Sequence, residues 1–411
     1  AAAISPYRDI RDGVRAQMTT VQHFVALEGD RPGWLRYEDL LAEADPADVV
    51  PVTVDENDLI AINYTSGTTA RPKGVEMTHR NLWLNAAVFG WQTGVNDRDV
   101  YLHTLPMFHC NGWGMPYAVT AMGGKHIVLR KVDGPEILRR IQQHGVTLLC
   151  GAPAVISAVL DAAADWDGPI PGTGNMRIVV AGAPPPTQTI ERVETELGWE
   201  FIQIYGLTET APLLTMSRSR YEWDDDTPAE RAVRLSRAGA PALGVTMSTS
   251  ADGELLARTN HVLKSYWAQP EATAAALADD WFHTGDGGVI DEAGYATITD
   301  RKKDVIISGG ENVSSIEVED TLFSHPAVAE VAVIGVPDEK WGETIKALVV
   351  LVDGASTDER ALIDHCREVL AHFKCPTSVE FRDELSRTAT GKLQKFKLRA
   401  PYWEGMEKQI N

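Results

Sequence analysis

Up to about residue 300 the chain alternates between two kinds of apolar segment, and no other feature limits its fold as much. Short β-rich runs such as "DLIAINY", "DVYLHTLP", "TLLCGAP", "MRIVVAGA" and "EFIQIYG" are separated by longer runs with helical spacing: "NLWLNAAVFGW", "GPEILRRIQQHG", "AVISAVLDAAA" and "TQTIERVETELG". Strands that alternate with helices pair in parallel, because a parallel pair needs a crossover long enough to hold a helix. Residues 1–299 are therefore expected to form a large N-terminal α/β lobe with parallel-rich sheets. Its functional loops should follow the C-terminal ends of the strands.

Within that lobe, the charged stretch Arg218 to Ala240 reads as a surface excursion, and "WFHTGDGGVIDEAGYATITD" reads as hairpins that add a β-rich piece. From Arg301 the grain changes. Ser314 and Glu317 have capping-box spacing before a helix that Pro326 should stop, and Ser356 and Glu359 repeat the spacing. With the strand-like "VAEVAVIGV", "IKALVVLV" and "SVEF", residues 300–411 are expected to form a small, mobile α+β C-terminal lobe with Asp300 at its junction.

A chain of 411 residues exceeds what one hydrophobic core usually serves, in keeping with two or more folding units. The net charge of -20 repels nucleic acid and anionic lipid, so no nucleic-acid partner is expected; a small anion would need a local pocket of N–H groups and a few cations. Cys110, Cys150, Cys366 and Cys375 show no paired spacing, which fits a reducing, cytoplasmic setting and argues against structural zinc. The most apolar run, "TLLCGAPAVISAVLDAAA", is broken by Pro153 and Asp161, so no transmembrane segment is expected. No signal peptide stands at the start, and without an initiator Met the chain reads as beginning in the middle of something. The oligomeric state is left open, a homo-oligomer included.

The candidate anion pocket is "YTSGTTARPKG", Tyr64 to Gly74. Thr, Ser, Gly and Pro are also what ordinary surface loops contain. The P-loop rule G-x-x-x-x-G-K-[ST] fails, because Pro72 stands where the second glycine belongs and Gly74 follows Lys73. "GVEM" reads as an extended segment, and Thr78 is an N-cap candidate for the next helix. The arrangement is strand, loop, strand, and such a loop can wrap phosphates through backbone N–H groups, hydroxyls and one lysine without a helix dipole behind it.

"YTSGTTARPKGVEMTH" resembles the phosphate loop of the adenylate-forming enzymes, which comprise acyl-CoA synthetases, luciferases and the adenylation domains of peptide synthetases; Ala70 replaces the usual glycine. The resemblance continues in order through "IYGLTETAP", "WFHTGD", the hinge-like "DRKKDVIISGGENVSSIEVE" and the lysine motif "RTATGKLQK". It implies a two-step reaction: a carboxylate attacks the α-phosphate of ATP to give an acyl-adenylate and pyrophosphate, and a thiol then takes the acyl group. Because the first step joins two anions, charge neutralisation and positioning dominate.

By that resemblance, Thr65, Ser66, Gly67, Thr68, Thr69 and Lys73 would cradle the β- and γ-phosphates, Thr208 would bind the α-phosphate and Glu209 would help hold Mg²⁺. Tyr205 would stack on adenine beside Gly182, Ala183 and Pro184, while Asp286 and Arg301 would hold the ribose. Lys392 would bridge the substrate carboxylate and the α-phosphate. His109, Gly112 and Trp113 would line the acyl pocket. "SGGENVSSIEVE" and "GVPDEKWGE" resemble the acyl-CoA synthetase branch, in which the small lobe turns about Asp300 and Ser308, Gly309 and Gly310 line the path of CoA.

The implied function is an ATP- and Mg²⁺-dependent acyl-CoA synthetase acting on a fatty or similar hydrophobic carboxylate, with CoA as co-substrate. Two alternatives stay open: an acyl-AMP ligase loading a carrier protein, told apart by whether free CoA disappears, and a catalytically inactive nucleotide-binding relative. The second is kept open by the missing early part of the large lobe and the short "GVTMSTSADGELLART".

Overall fold

The protein is described here by a computed structural model covering residues 2–5, 17–45, 47, 52–65, 72–301, 304–338, 340–388 and 392–404. The chain divides into two compact units, Ala1–Asp55 and Glu56–Asn411. In the first, Ala2–Ser5, His23–Ala26 and Leu35–Arg36 form a sheet with both pairs parallel, and the helix Tyr37–Glu43 follows. Phe24, Val25 and Ala26 are buried, and the Phe24 ring lies 5.2 Å from that of Trp34.

The alternation read in the sequence produces the central sheet of the second unit. Its strands lie in the order Ala240–Pro241, Leu213–Arg218, Glu200–Gly206, Arg177–Val180, Leu148–Gly151, Val100–His103, Lys125–Val128. The last five are mutually parallel, and the first two add antiparallel to one side. The inner strands are apolar along their length because both faces are covered. Ile178, Val180 and Phe201 enter one core with Ile137, Leu138, Ile156 and Trp199, whereas Val179, Ile202 and Ile204 enter a second with Phe89, Trp113 and Met115.

The stretch from Arg218 to Ala240 is not a mere excursion. The helix Pro228–Leu235, capped by Thr227 and Glu230, buries Ala232 and Leu235, and with Trp223 they join the first core. Elsewhere the local signals hold: Thr78 caps the helix His79–Thr93 through a capping box with Asn81, and Ser314 caps Ser315–Phe323. The Ser356 and Glu359 spacing does not operate. Asp358 is the cap, accepting from the Ala361 amide at 2.8 Å, and Glu359 instead accepts from the Val379 amide at 2.9 Å.

Three further sheets complete the unit. Leu59–Tyr64, Gly74–Thr78 and Ser265–Tyr266 pair antiparallel, as do Val245–Thr249, Glu254–Thr259, Phe282–Ile290 and Ala296–Arg301. The third is built from Ile306–Ser308, Glu311–Val313, Val328–Asp338, Gly342–Leu351 and Ser378–Phe381. One face of it packs on the helices Ser315–Phe323 and Glu359–Val369; Leu385, Leu393, Leu398 and Tyr402 pack on the other.

Helix Gly134–His144 lies against helix Pro153–Ala164 at a point where only glycine fits: a Cβ on Gly134 would stand 2.0 Å from the Ala158 carbonyl oxygen. Gly134→Ala is expected to cost about 1–3 kcal/mol, read as a lowered denaturation midpoint with unchanged secondary structure at low temperature. An unchanged midpoint would contradict the close approach.

Candidate active site

The segment between Tyr64 and Gly74 joins two antiparallel strands. Tyr64 pairs with Gly74, and the Thr65 amide donates to the Lys73 carbonyl at 2.9 Å, closing the neck. Ser66, Gly67, Thr68 and Thr69 lie outside the described residues. Beyond the neck, Ser265 and Tyr266 pair with Glu76 and Val75, which brings the Tyr266 ring beneath Lys73 with the ammonium 4.6 Å from its centroid.

The same tyrosine connects the loop to the second motif. Its hydroxyl donates to Glu209 Oε1 at 2.8 Å, and the Leu263 amide donates to the Glu209 carbonyl at 2.6 Å. Burial and the nearby carboxylate push the Tyr266 phenol well up, so it remains a donor. Thr208 and Glu209 sit in a tight turn after the strand Glu200–Gly206, at the C-terminal edge of the parallel sheet. The Thr208 hydroxyl lies against the buried Cys110 thiol, whose pKa burial pushes up to about 12.

Asp286 and Arg301 are direct partners in adjacent strands, with Arg301 Nε 3.6 Å from Asp286 Oδ1. Tyr205 donates its hydroxyl to Asp286 Oδ2 at 2.8 Å. Asp286 is 7% exposed, and burial raises its pKa against the opposing pull of Arg301 and the Tyr205 hydrogen bond.

Lys392 reaches this group from the C-terminal segment and is only partly exposed. Burial first, and Arg301 second, lower its pKa to about 8, while Asp286, Asp304 and Glu209 pull it upward. Burial first, and then the positive charge of Lys392, lower the pKa of His109. Lys73, Tyr266, Glu209, Thr208, His109, Lys392, Asp286, Tyr205 and Arg301 thus form one connected set, seven of them drawn from the five ordered motifs and two, His109 and Tyr266, from outside them.

The other residues singled out from sequence fall around this set or apart from it. Gly182 has φ +95° in the loop after Arg177–Val180, with open space where a Cβ would be, and Ala183 and Pro184 follow it. Gly112 and Trp113 lie in the loop after His109; Trp113 is 3% exposed and packs in the second core. Asp300 is buried, accepting from the Arg301 amide at 2.9 Å and from the Ser315 amide and hydroxyl at 2.9 and 2.6 Å. Ser308, Gly309 and Gly310 form a hairpin end: Ser308 pairs with Glu311 and Gly342, and the Gly309 amide donates to the Trp341 carbonyl at 2.9 Å.

Sequence reasoning missed Tyr266, whose partners lie far away along the chain. It also missed Gln203 and Asn111: the Gln203 carbonyl and the Asn111 amide are buried without a protein partner, and such groups are where a ligand's polar atoms find satisfaction. Only the position of Gln203, two before Tyr205 on one strand face, hinted at it. Among the described residues no group of three or more His, Cys, Asp or Glu side chains could cage a metal ion, and no helix is long and apolar enough to cross a membrane. A separate cavity of about 950 Å³ opens at the N-terminal ends of the parallel strands, and three of its arginines, Arg177, Arg218 and Arg231, pair with Asp99, Glu200 and Glu194.

The depressed Lys392 pKa has a consequence for stability. An unfolded lysine titrates near 10.5 and this one near 8, so between those values the unfolded chain binds the extra proton and stability rises with pH. Lys392→Met should therefore melt above the wild type at neutral pH, by roughly 2 kcal/mol, with the gap closing toward about pH 10. A methionine variant that melts lower at neutral pH would contradict the assignment.

The AMP-binding enzyme family model matches residues 10–267, and the AMP-binding enzyme C-terminal domain matches residues 317–392. A 2-methylpropanoate–CoA ligase of Humulus lupulus is 42% identical over 385 residues, covering 88% of this chain and 67% of that protein. A peroxisomal benzoate–CoA ligase of Arabidopsis thaliana is 40% identical over 402 residues, covering 89% of this chain and 67% of that protein. The crystal structure of the anthranilate CoA ligase AuaEII with anthranoyl-AMP superposes with a TM-score of 0.86 at 27% identity, covering 98% of this chain and 77% of that one. The chain belongs to the AMP-binding enzyme family: it is an adenylate-forming enzyme of the acyl-CoA synthetase branch, an AMP-forming acid–thiol ligase.

Proposed function

We propose that the protein activates a small branched or aromatic carboxylate with ATP and Mg²⁺ as an acyl-adenylate, releases pyrophosphate, and passes the acyl group to CoA. The observation that carries this reading is the placement of Lys392 among Asp286, Arg301 and Glu209 and beside His109. There one ammonium can meet the carboxylate and the α-phosphate together, neutralising charge that grows as the two anions join. Asp286, fixed by Tyr205 and Arg301, presents carboxylate oxygens for the ribose hydroxyls. Lys73 and the Thr65 neck would hold the outer phosphates, and Thr208 the α-phosphate. A lone carboxylate, Glu209, fits a Mg²⁺ ion carried mainly by phosphates and water rather than a protein cage. Bound there, the ion would supply charge neutralisation at the phosphates.

The motif resemblance alone leaves the acid as fatty or another hydrophobic carboxylate. The names of the relatives, which specify 2-methylpropanoate, benzoate and anthranilate, favour a small acid over a long chain. Trp113, packed into the core beside the His109 loop, would set the pocket depth. The division into lobes at 299/300, with a hinge at Asp300, belongs to the same proposal, as does the later use of Ser308, Gly309 and Gly310 along the CoA path. Four buried free thiols fit a reducing compartment, and we place the protein in the cytoplasm; a peroxisomal location, named for the benzoate relative, is the other outcome of a fractionation.

The test is a panel of 2-methylpropanoate, benzoate, anthranilate and a long-chain fatty acid, followed by pyrophosphate release and loss of free CoA. The expected result is the highest kcat/KM for a small acid, with CoA consumed as AMP accumulates. Pyrophosphate release with CoA untouched would favour carrier-protein loading, and no release with any acid would sink the proposal. Lys392→Ala should slow pyrophosphate release at least about a hundredfold while thioester formation from supplied acyl-AMP stays within about threefold. Trp113→Ala should move preference toward longer acids by about tenfold; an unaltered profile would remove Trp113 from the pocket.

A further inference from the structure

The helix His79–Thr93 starts directly after the strand that closes the phosphate-loop hairpin, and two asparagines four residues apart share one of its faces. Asn81 is 4% exposed and Asn85 fully buried. Both ends of each side-chain amide are engaged. Asn81 accepts from the Thr78 amide at 2.8 Å and donates to the Val262 carbonyl at 2.8 Å, next to Leu263, whose amide holds the Glu209 carbonyl. Asn85 accepts from the Leu213 amide at 3.0 Å and donates to the Trp113 carbonyl at 3.1 Å.

The two segments that Asn85 joins are the ones that must be placed against each other. Leu213 follows the turn of Thr208 and Glu209, and Trp113 belongs to the loop after His109. In that loop five consecutive residues, Cys110, Asn111, Gly112, Trp113 and Gly114, have positive φ of 49°, 50°, 64°, 58° and 83°. Left-handed backbone is unfavourable for the three that are not glycine, so the loop needs an anchor from outside itself. Gly114 makes room for that anchor, because a Cβ there would stand 2.5 Å from Asn85 Nδ2.

We propose that Asn85 is a positioning residue for the acyl half of the site, its single amide fixing the His109–Trp113 loop at a set distance from the Thr208–Glu209 turn. The inference rests on the CoA-ligase reading above and deepens it. An amide is needed because one end must accept and the other donate. Aspartate keeps the acceptor for the Leu213 amide and sets a second oxygen against the Trp113 carbonyl, loosening the acyl loop while leaving the turn in place.

Asn85→Asp in the full chain tests this through pyrophosphate release, with the carboxylate and ATP varied separately. The carboxylate KM should rise about tenfold or more, the equivalent of one lost hydrogen bond, while the ATP KM stays within about twofold. A purely structural role would lower the melting temperature without parting the two constants. Gly114→Ala reaches the same contact from the loop side and should give the same split, which keeps the test decisive where Asn85→Asp does not fold. A folded variant whose carboxylate KM stays within about twofold of the wild type, or rises together with the ATP KM, overturns the proposal. A wild type that releases no pyrophosphate with any acid would instead overturn the underlying reading.

Discussion

A lysine ammonium that has given up much of its water beside an arginine stays charged only if carboxylates face it, and the arrangement around Lys392 is built on that constraint. Asp286, Asp304 and Glu209 supply the opposing charge, each from a different part of the chain. Burial and Arg301 still prevail, and the amine sits far below its ordinary pKa. The ammonium is therefore poorly solvated. A bound polyphosphate would replace the lost water, so an anion brought to this place gains more than it would at an exposed lysine. That gain is available only while the C-terminal segment stays docked, which makes the placement of that segment part of the chemistry.

The docking is itself electrostatic and largely buried. Leu393, next to Lys392, packs on one face of the small sheet. Lys395 lies 2.7 Å from Glu319 and bonds Ser315, whose amide and hydroxyl hold Asp300. Burial raises the Glu319 pKa while Lys395 opposes the rise, so removing one partner would leave the other uncompensated. From the neighbouring position on the same helix, Asp320 accepts from the Thr187 amide and hydroxyl at 2.9 and 3.1 Å. That pair is exposed and weak compared with the buried one. A strong inner network with a weak outer clasp is what the proposed turning of a small lobe about Asp300 would require.

The fold was legible wherever a local rule acts alone. The parallel sheet announced itself because strands buried on both faces are apolar throughout, and the Thr78 and Ser314 caps because each satisfies amides within its own turn. Ser356 failed because Asp358, two residues on, offers a better acceptor and Glu359 has a partner across the lobe. The helix Pro228–Leu235 was overlooked because few apolar residues stand among its charges, although Pro228 and the Thr227–Glu230 box marked its start. Of the site, the motifs gave the charged members. They could not give Tyr266, Gln203 or Asn85, whose partners are fixed by tertiary contact and leave no periodic trace.

Several unfavourable features of the molecule gather at one edge. The uncompensated part of the Lys392 burial, the raised Asp286, the left-handed loop from Cys110 to Gly114 and the unpartnered Gln203 and Asn111 all lie on or beside loops that follow the C-terminal ends of the parallel strands. At the opposite ends, Arg177, Arg218 and Arg231 are each paired with a carboxylate. The two apolar cores between these edges supply the stability that the strained edge consumes. Groups held without partners beneath a rigid sheet cannot relax to find them, so they remain directed at whatever enters from solution. Preorganisation of that kind lowers the reorganisation needed when two anions are joined, and it accounts for why the costly residues sit where the ligand would.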